Sequence, residues 1–144
     1  MTELSLGEML HKLTYAYKRT LRQVHQEACL NFSMSELRVL KTIQSIPDCT
    51  SQAVVSHIFI DKAQVARAVN QLLAAGLIDK VEHPADRRSH LLALTSSGIA
   101  MVRRLRKLEQ QAGERLSQHL SPEQVRQFIT LASHLTDDPS DEHT

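Results

Sequence analysis

The chain has 144 residues, of which 42% are hydrophobic but only 3% aromatic, and it contains no tryptophan. We therefore expect one domain whose core is built from Leu, Ile, Val, Ala and Met, a composition that favours helices. The 17 basic and 16 acidic residues leave a net charge of +1, so a nucleic-acid-binding surface would require the basic and acidic residues to lie on different faces.

Several classes of protein are excluded by what the sequence lacks. The N-terminus has neither the basic start nor the continuous apolar run of a signal peptide, and no apolar run could cross a membrane. Two cysteines, Cys29 and Cys49, do not make a disulfide framework. We expect a cytoplasmic protein without membrane contact. Because a phosphate-binding glycine loop, a nucleophile elbow and an HExxH motif are all missing, we expect no enzyme, no catalytic residue and no cofactor.

The hydrophobic periodicity predicts six helices and one β-hairpin. In chain order these elements cover residues 4–28, 34–46, 51–58, 62–76, the hairpin strands 77–83 and 90–95, then 97–119 and a last helix that follows Ser121.

Start and stop residues define the middle of the chain. Ser33 and Glu36 form a capping box for the second helix, and Asp61 can cap the fourth. Gly76 supplies the left-handed residue that ends the fourth helix. Only a tight turn that includes Phe59 separates the third helix from the fourth, which is the spacing of a helix-turn-helix motif.

The long terminal helices carry apolar stripes that so small a middle region cannot cover. We therefore expect a helix-turn-helix lobe over 33–95, dimerisation helices over 1–32 and 97–136, and a flexible tail over 137–144. In the resulting homodimer, the terminal helices of the two copies would pack against each other.

The fourth helix has one apolar and one polar face. Val65, Val69 and Leu72 should be buried, which leaves four polar residues available on the rest of the helix: Lys62, Gln64, Arg67 and Asn70. Arginine can donate two hydrogen bonds to guanine, Asn and Gln can pair with adenine, and a lysine in the first turn can reach phosphate. The alternative is an ordinary solvated face, with the Gln64 amide closing the capping box of Asp61.

The tip of the hairpin places Asp86 beside Arg87 and Arg88. One arginine can pair with Asp86 and brace the turn, while the other projects and is free to enter a DNA minor groove. We assign the bracing role to Arg88 and the minor-groove role to Arg87. The alternative is a surface charge cluster that only stiffens the hairpin. Leu92 and Leu94 should point toward the helices.

The segment DRRSHLLALTSSG, residues 86–98, resembles the D-R-R…L-T…G signature of MarR-type winged-helix transcriptional regulators, and the preceding segment is similar to their recognition helix. The resemblance covers essentially the whole chain, with departures at Phe59, Val55 and Lys80. It implies a mainly α fold with a small β-hairpin wing, that is, a winged helix-turn-helix that dimerises through its N- and C-terminal helices. It also implies recognition helices in adjacent major grooves and wings in the flanking minor grooves.

The family is regulated by ligands, which the resemblance implies here as well. The pocket would lie between the DNA-binding lobe and the dimerisation helices. His11, Tyr15, Tyr17 and Arg38 are the candidate residues around it, and a small aromatic molecule is the candidate ligand.

Two other kinds of site are weighed against this interpretation. Cys29 either senses oxidants or is a small core residue near the end of the first helix, and Cys49 is expected to be exposed. His25, Glu27 and Cys29 could contribute to a zinc site, but residues two apart on a helix do not face each other, so we predict no metal ligand.

The expected function is that of a dimeric, sequence-specific DNA-binding regulator, most often a repressor in this family. It would bind a pseudo-palindromic operator of roughly 16 to 20 base pairs in double-stranded DNA. The alternative is a winged-helix module that binds another protein and does not read DNA.

Overall fold

The structure, a computed structural model, describes residues 3–86 and 88–136; Arg87 and the predicted tail lie outside the described residues. Six helices and one antiparallel hairpin are present in this part of the chain, which confirms the predicted fold class. The elements are α1 (Leu6–Glu27), α2 (Met34–Ser45), α3 (Ser51–His57), α4 (Lys62–Ala74), β1 (Ile78–Glu82), β2 (His90–Leu94), α5 (Ser96–Leu116) and α6 (Pro122–Thr136). None of these helices has both the length and the apolar character of a membrane span.

Each helix begins at a side chain that accepts the N–H three residues further on, which satisfies one of the free donors of the first turn. The caps are Ser5, Ser33, Thr50, Asp61, Thr95 and Ser121. Ser5 and Ser33 are completed to capping boxes by Glu8 and Glu36. Helix starts were therefore readable from local sequence.

The main core lies between α2, α3, α4, the hairpin and the first half of α5. Its fully buried residues include Leu40 of α2, Val54 of α3, Leu72 of α4 and Ile78 of β1. Leu105 of α5 belongs to the same cluster. The first half of α5 is therefore part of the lobe that carries the hairpin.

A second, smaller core joins α1 to the second half of α5. Leu21 and Val24 of α1 pack there with Leu108 and Ala112 of α5. His25 is buried beside them, and neither ring nitrogen has a hydrogen-bond partner among the described residues. Burial lowers the pKa of the His25 imidazole, and the negative charge of Glu109 opposes part of this effect.

The hairpin is fixed to the helices at several points. β1 and β2 pair in register, with Ile78 opposite Leu94 and Lys80 opposite Leu92. Leu92 is buried and Leu94 partly buried against the main core, as the alternation predicted. The backbone N–H of Leu92 also donates to the carbonyl of Cys49 at 2.8 Å, which ties the wing to the loop between α2 and α3.

The expected exposure of Cys49 is wrong, and of the two alternatives for Cys29 the core position does not apply. Cys49 is buried in the main core, because its loop is held against β2, and burial raises the pKa of its thiol. Cys29 is exposed rather than a core residue. The chain leaves α1 at Ala28 and Cys29 adopts a left-handed conformation with φ of 56°, as residues just past a helix end often do, which takes its side chain off the buried face.

Two glycines are required by the geometry around the hairpin. Gly76 has φ of 73° and ends α4 as predicted. At Gly98, in the first turn of α5, an added Cβ would lie 2.0 Å from the Leu77 carbonyl oxygen, which itself accepts the N–H of Thr95 at 3.0 Å. The base of the wing is thus held against the start of α5 by direct backbone contact.

Replacing Gly98 by alanine should therefore destabilise the protein. We expect a loss of about 3 kcal/mol in the free energy of unfolding, because a backbone oxygen cannot move aside as a flexible side chain does. Gly113→Ala is the matched control in the same helix: no atom lies within 4 Å of its added Cβ, so it should be neutral or stabilise by up to about 1 kcal/mol. Urea denaturation measures both, and equal stability of the two variants would contradict this packing.

The low pKa of His25 makes stability depend on pH. The unfolded chain takes up a proton at this side chain near pH 6.5, whereas the folded chain does so only at lower pH, so stability falls as the pH decreases below about 6.5. Urea denaturation at pH 7.5, 6.5 and 5.5 should show a steeper loss for the wild type than for His25→Leu. Parallel losses in the two proteins would show that His25 does not contribute.

Candidate nucleic-acid interface

The orientation of α4 is set by its buried stripe. Val65, Ala68, Val69 and Leu72 are all buried in the main core. Since these four residues occupy one side of the helix, the other sides face solvent. The predicted burial of the apolar stripe is confirmed.

The polar residues of α4 are exposed together. The α4 polar face consists of Lys62, Gln64, Arg67 and Asn70, and all four are exposed. None of these side chains forms a hydrogen bond or an ion pair with another described residue. Ala63, Ala66 and Ala74 are exposed between them. Small neighbours of this kind allow a surface to approach the helix backbone closely.

Asp61 holds the start of α4 without the help of the Gln64 amide. One Asp61 carboxylate oxygen, Oδ1, accepts the backbone N–H of Gln64 at 2.9 Å. The Gln64 side chain does not return a hydrogen bond to Asp61, so the capping box that we weighed as its alternative role is absent. The Gln64 amide is therefore available to a partner outside the chain.

The turn between α3 and α4 exposes one large apolar side chain. The N–H of Ile60 donates to the carbonyl of Ile58 at 2.8 Å, which closes a very short turn around Phe59. Ile58 is buried and anchors the turn, whereas the Phe59 side chain is completely exposed. Sequence reasoning placed Phe59 in this turn and noted it as a departure from a family pattern, but it did not predict the complete exposure of the side chain.

The tip of the wing is braced by Asp86, with a difference from the predicted pairing. Its Oδ1 accepts the backbone N–H of Arg88 at 3.0 Å, and its Oδ2 accepts the Ser89 hydroxyl at 3.2 Å. The contact to Arg88 is therefore made by the main chain and not by the guanidinium group. Arg87, to which we assigned the minor-groove role, lies outside the described residues.

The residues predicted to form a ligand pocket lie on α1 and α2. His11 and Tyr15 are exposed on α1, and Arg38 is exposed on α2. Tyr17 is half-buried against the second core, where burial and the charge of Glu109 raise the pKa of its phenol. None of the four lines the cleft described next.

A cleft of about 420 Å³ lies where α1 leads into α2. We call it the α1–α2 cleft; it is lined by Arg22, His25, Gln26, Leu30, Phe32, Ser33, Met34 and Ser35. Sequence reasoning missed it, although one signal was present: His25 is a polar residue that lies four positions after Leu21, on the apolar face of α1.

Among the described residues, no three His, Cys, Asp or Glu side chains are grouped so that they could hold a metal ion. His25, Glu27 and Cys29 do not form such a group. Glu27 instead pairs with Arg115 of α5, and this contact lowers the pKa of its carboxyl.

Comparison with known proteins gives a match to one family model and to several transcriptional regulators. Residues 30–89 match the model of the MarR family. The regulator YdgJ of Bacillus subtilis is 25% identical over 76% of this chain and 66% of its own length. The regulator BilQ of Clostridium symbiosum is 27% identical over 62% of each chain. The matched region thus spans about two thirds or less of these relatives.

Solved structures agree in fold over nearly the whole chain. A mutant of MarR from Escherichia coli superimposes with a TM-score of 0.87 over 95% of this chain and all of its own, at 20% identity. The same mutant in complex with operator DNA superimposes with a TM-score of 0.72 over 92% of this chain and 94% of its own, again at 20% identity. BpsR of Bordetella bronchiseptica superimposes with a TM-score of 0.70 over 95% of this chain and 99% of its own, at 25% identity. The DNA binding of BpsR is regulated by 6-hydroxynicotinic acid.

The winged helix-turn-helix lobe thus matches the MarR family model over residues 30–89, and nearly the whole chain is similar in fold to the MarR structures.

Proposed function

We propose that this protein is a homodimeric, sequence-specific DNA-binding transcriptional regulator, acting as a repressor that a small molecule releases from its operator. The observation that carries the proposal is the α4 polar face, whose four side chains are exposed and unengaged opposite a stripe that fixes the helix in the lobe.

The chemistry of this face suits the DNA major groove, which is wide enough to admit a helix. Arg67 can donate two hydrogen bonds to guanine, and Asn70 and Gln64 can each pair with adenine. Lys62 and the free N–H groups at the start of α4 can bind phosphate. The exposed alanines of α4 would let the helix enter the groove closely.

The wing would provide a second contact. The Asp86 brace stiffens the turn from which Arg87 is proposed to enter the minor groove, where a narrow A·T segment attracts an arginine. The complex of the related MarR mutant with operator DNA supports DNA binding by this fold.

A homodimer is proposed because apolar surface on the terminal helices is not covered by any of the residues that the structure describes. No side chain of α6 is buried. Exposed large apolar residues are concentrated on α6 and at the start of α1: Leu4, Leu6, Met9, Leu10, Phe128, Ile129, Leu131 and Leu135. Exposed apolar surface of this extent marks an interface, and the economical cover is a second copy.

Release by a small molecule is supported by two relatives. DNA binding of BpsR is regulated by 6-hydroxynicotinic acid, and a MarR family protein of Mycobacterium tuberculosis was solved with p-aminosalicylic acid (TM-score 0.78, 19% identity). We propose a small aromatic acid as the class of ligand here, with His11, Tyr15, Tyr17 and Arg38 as the residues expected from the sequence.

The first test of this function is the contribution of Arg67. On a duplex selected by the wild type from random DNA, Arg67→Ala should weaken binding by about 1–3 kcal/mol and relax the preference at one base position, because a paired base contact is lost. Fluorescence anisotropy at a fixed salt concentration gives both results.

Arg19→Ala is the matched control, since it removes the same charge from an exposed position on α1. It should leave the base preference unchanged. An Arg67 variant that binds every duplex as tightly as the wild type would refute the proposed face. No binding by the wild type would favour the alternative of a protein-interaction module.

The second test concerns the dimer. Leu131 is 69% exposed in the single chain, so Leu131→Glu should not harm the fold but should place a charge in the interface. Light scattering should show a shift from twice the chain mass toward a single chain, with Gln127→Glu as the exposed polar control on α6. A wild-type mass of one chain at micromolar concentration would contradict the proposal.

A further inference from the structure

Phe59, in the turn between α3 and α4, is the most exposed large apolar residue in the part of the chain that the structure describes. Of the three phenylalanines, Phe32 packs against the main core and Phe128 lies on α6, on the surface proposed as the dimer interface. Phe59 has neither kind of cover among the described residues. Single exposed apolar side chains are common on protein surfaces, so the position of this one has to decide whether it has a role.

The backbone around Phe59 directs its side chain away from the core. Ile58 has extended backbone angles, with φ of −117° and ψ of 137°, and in extended backbone successive side chains point to opposite sides. Ile58 is buried in the main core and Ile60 packs against it. Since both of its neighbours face the core, Phe59 faces solvent. The hydrogen bond of 2.8 Å from the N–H of Ile60 to the carbonyl of Ile58 holds the turn in this conformation.

The α4 polar face begins directly beside this turn. Asp61 caps α4 two residues after Phe59, and Lys62 is the first residue of the helix. Three residues of chain span at most about 11 Å, so the Cα atoms of Phe59 and Lys62 are no further apart than this. Phe59 and the α4 polar face also point away from the same core. The major groove of DNA is about 12 Å wide, so a duplex that contacts Lys62 and Gln64 extends to Phe59 as well.

The chemistry of the Phe59 ring restricts which part of DNA it can recognise. The ring has no hydrogen-bond donor or acceptor, so it cannot read the polar base edges that suit Arg67 and Asn70. Among the four bases, only thymine presents an apolar group in the major groove, its C5-methyl group. Sugars and phosphates are the same at every position, so contact with them carries no sequence information. A base-specific contact of Phe59 is therefore a contact with thymine.

We infer that Phe59 is a specificity-determining residue that packs against the C5-methyl group of one thymine in each half of the DNA site, beside the bases contacted by α4. This inference rests on the proposed function and adds to it a base contact made by the turn before the helix. Because the ring is completely exposed, it contributes nothing to the core. Ile58 and Ile60, which are held by the core, place it beside α4 before DNA is bound.

Replacement of thymine by deoxyuridine tests this contact in the wild type, without any variant that must fold. Deoxyuridine lacks only the C5-methyl group and keeps the same hydrogen bonds to adenine. In a duplex selected by the wild type from random DNA, each thymine is replaced in turn, and fluorescence anisotropy at a fixed salt concentration gives the Kd. We expect one thymine in each half of the site whose replacement weakens binding about fourfold, the effect of leaving one methyl group in water.

The same scan with variants assigns the methyl contact to Phe59. Phe59→Ala should bind the unmodified duplex more weakly than the wild type, and replacing this thymine should weaken it no further, because the contact is already lost. Phe59→Leu keeps an apolar side chain and should retain most of the difference between thymine and deoxyuridine. Val81→Ala is the matched control and should keep the full difference, since Val81 is the other exposed large apolar residue among the described residues of the lobe. Urea denaturation should show equal stability of Phe59→Ala and the wild type, because the removed ring is exposed.

The inference is overturned if no replacement by deoxyuridine weakens binding of the wild type, or if Phe59→Ala binds the selected duplex as tightly as the wild type. It is also overturned if every replacement weakens Phe59→Ala as much as the wild type, since Phe59 would then contact a sugar or no DNA at all. A wild type that selects a DNA sequence but shows no such dependence on Phe59 refutes this inference alone. One that selects no sequence refutes the proposed function and this inference with it.

Discussion

The burial of one stripe of α4 against α2 and α3 is the constraint on which the rest of the structure depends. Val65, Val69 and Leu72 can be withdrawn from water in only one rotation of the helix, and that rotation places Arg67 and Asn70 outward. Several kcal/mol of apolar burial therefore determine the direction of side chains that contribute nothing to the fold themselves. Asp61 then fixes where the helix begins.

α5 connects the lobe that contains α4 to the terminal helix α1. Val102 and Leu105 belong to the main core, whereas Leu108 and Ala112 belong to the second core with α1. The contacts between Lys41 and Glu109 and between Glu27 and Arg115 reinforce the same junction. The first pair is partly buried and the second is exposed, and ion pairs near a surface contribute little energy. The apolar residues that α5 contributes to both cores are therefore the main connection.

Helices and turns were predictable from the sequence because their signals are local. The signals that start or end a helix act within four residues of the boundary. As predicted, Ser33 with Glu36 caps α2, Asp61 caps α4, and Gly76 ends α4. The exposed face of α4 was predictable for the same reason, since the burial of Val65 and Leu72 follows from helical periodicity.

Features that depend on tertiary contact were not predictable in this way. Cys49 is buried because a distant strand packs on its loop, and Cys29 is exposed because of the backbone conformation after α1. The α1–α2 cleft was missed because it needs the relative positions of two helices, and nothing local to His25 says that its nitrogens will be left without partners. The pairing at the wing tip differs from the predicted one because the Asp86 carboxylate accepts the main-chain N–H of Arg88 and not its guanidinium group.

The central claim is that two copies of the chain present two α4 helices at a spacing that matches the DNA helix. Hydroxyl-radical footprinting of the wild type on a duplex selected from random DNA tests it most directly. The account predicts two symmetric protected regions with centres about one helical turn, or roughly 34–36 Å, apart. A single protected region, or uniform protection that depends on salt but not on sequence, would contradict it.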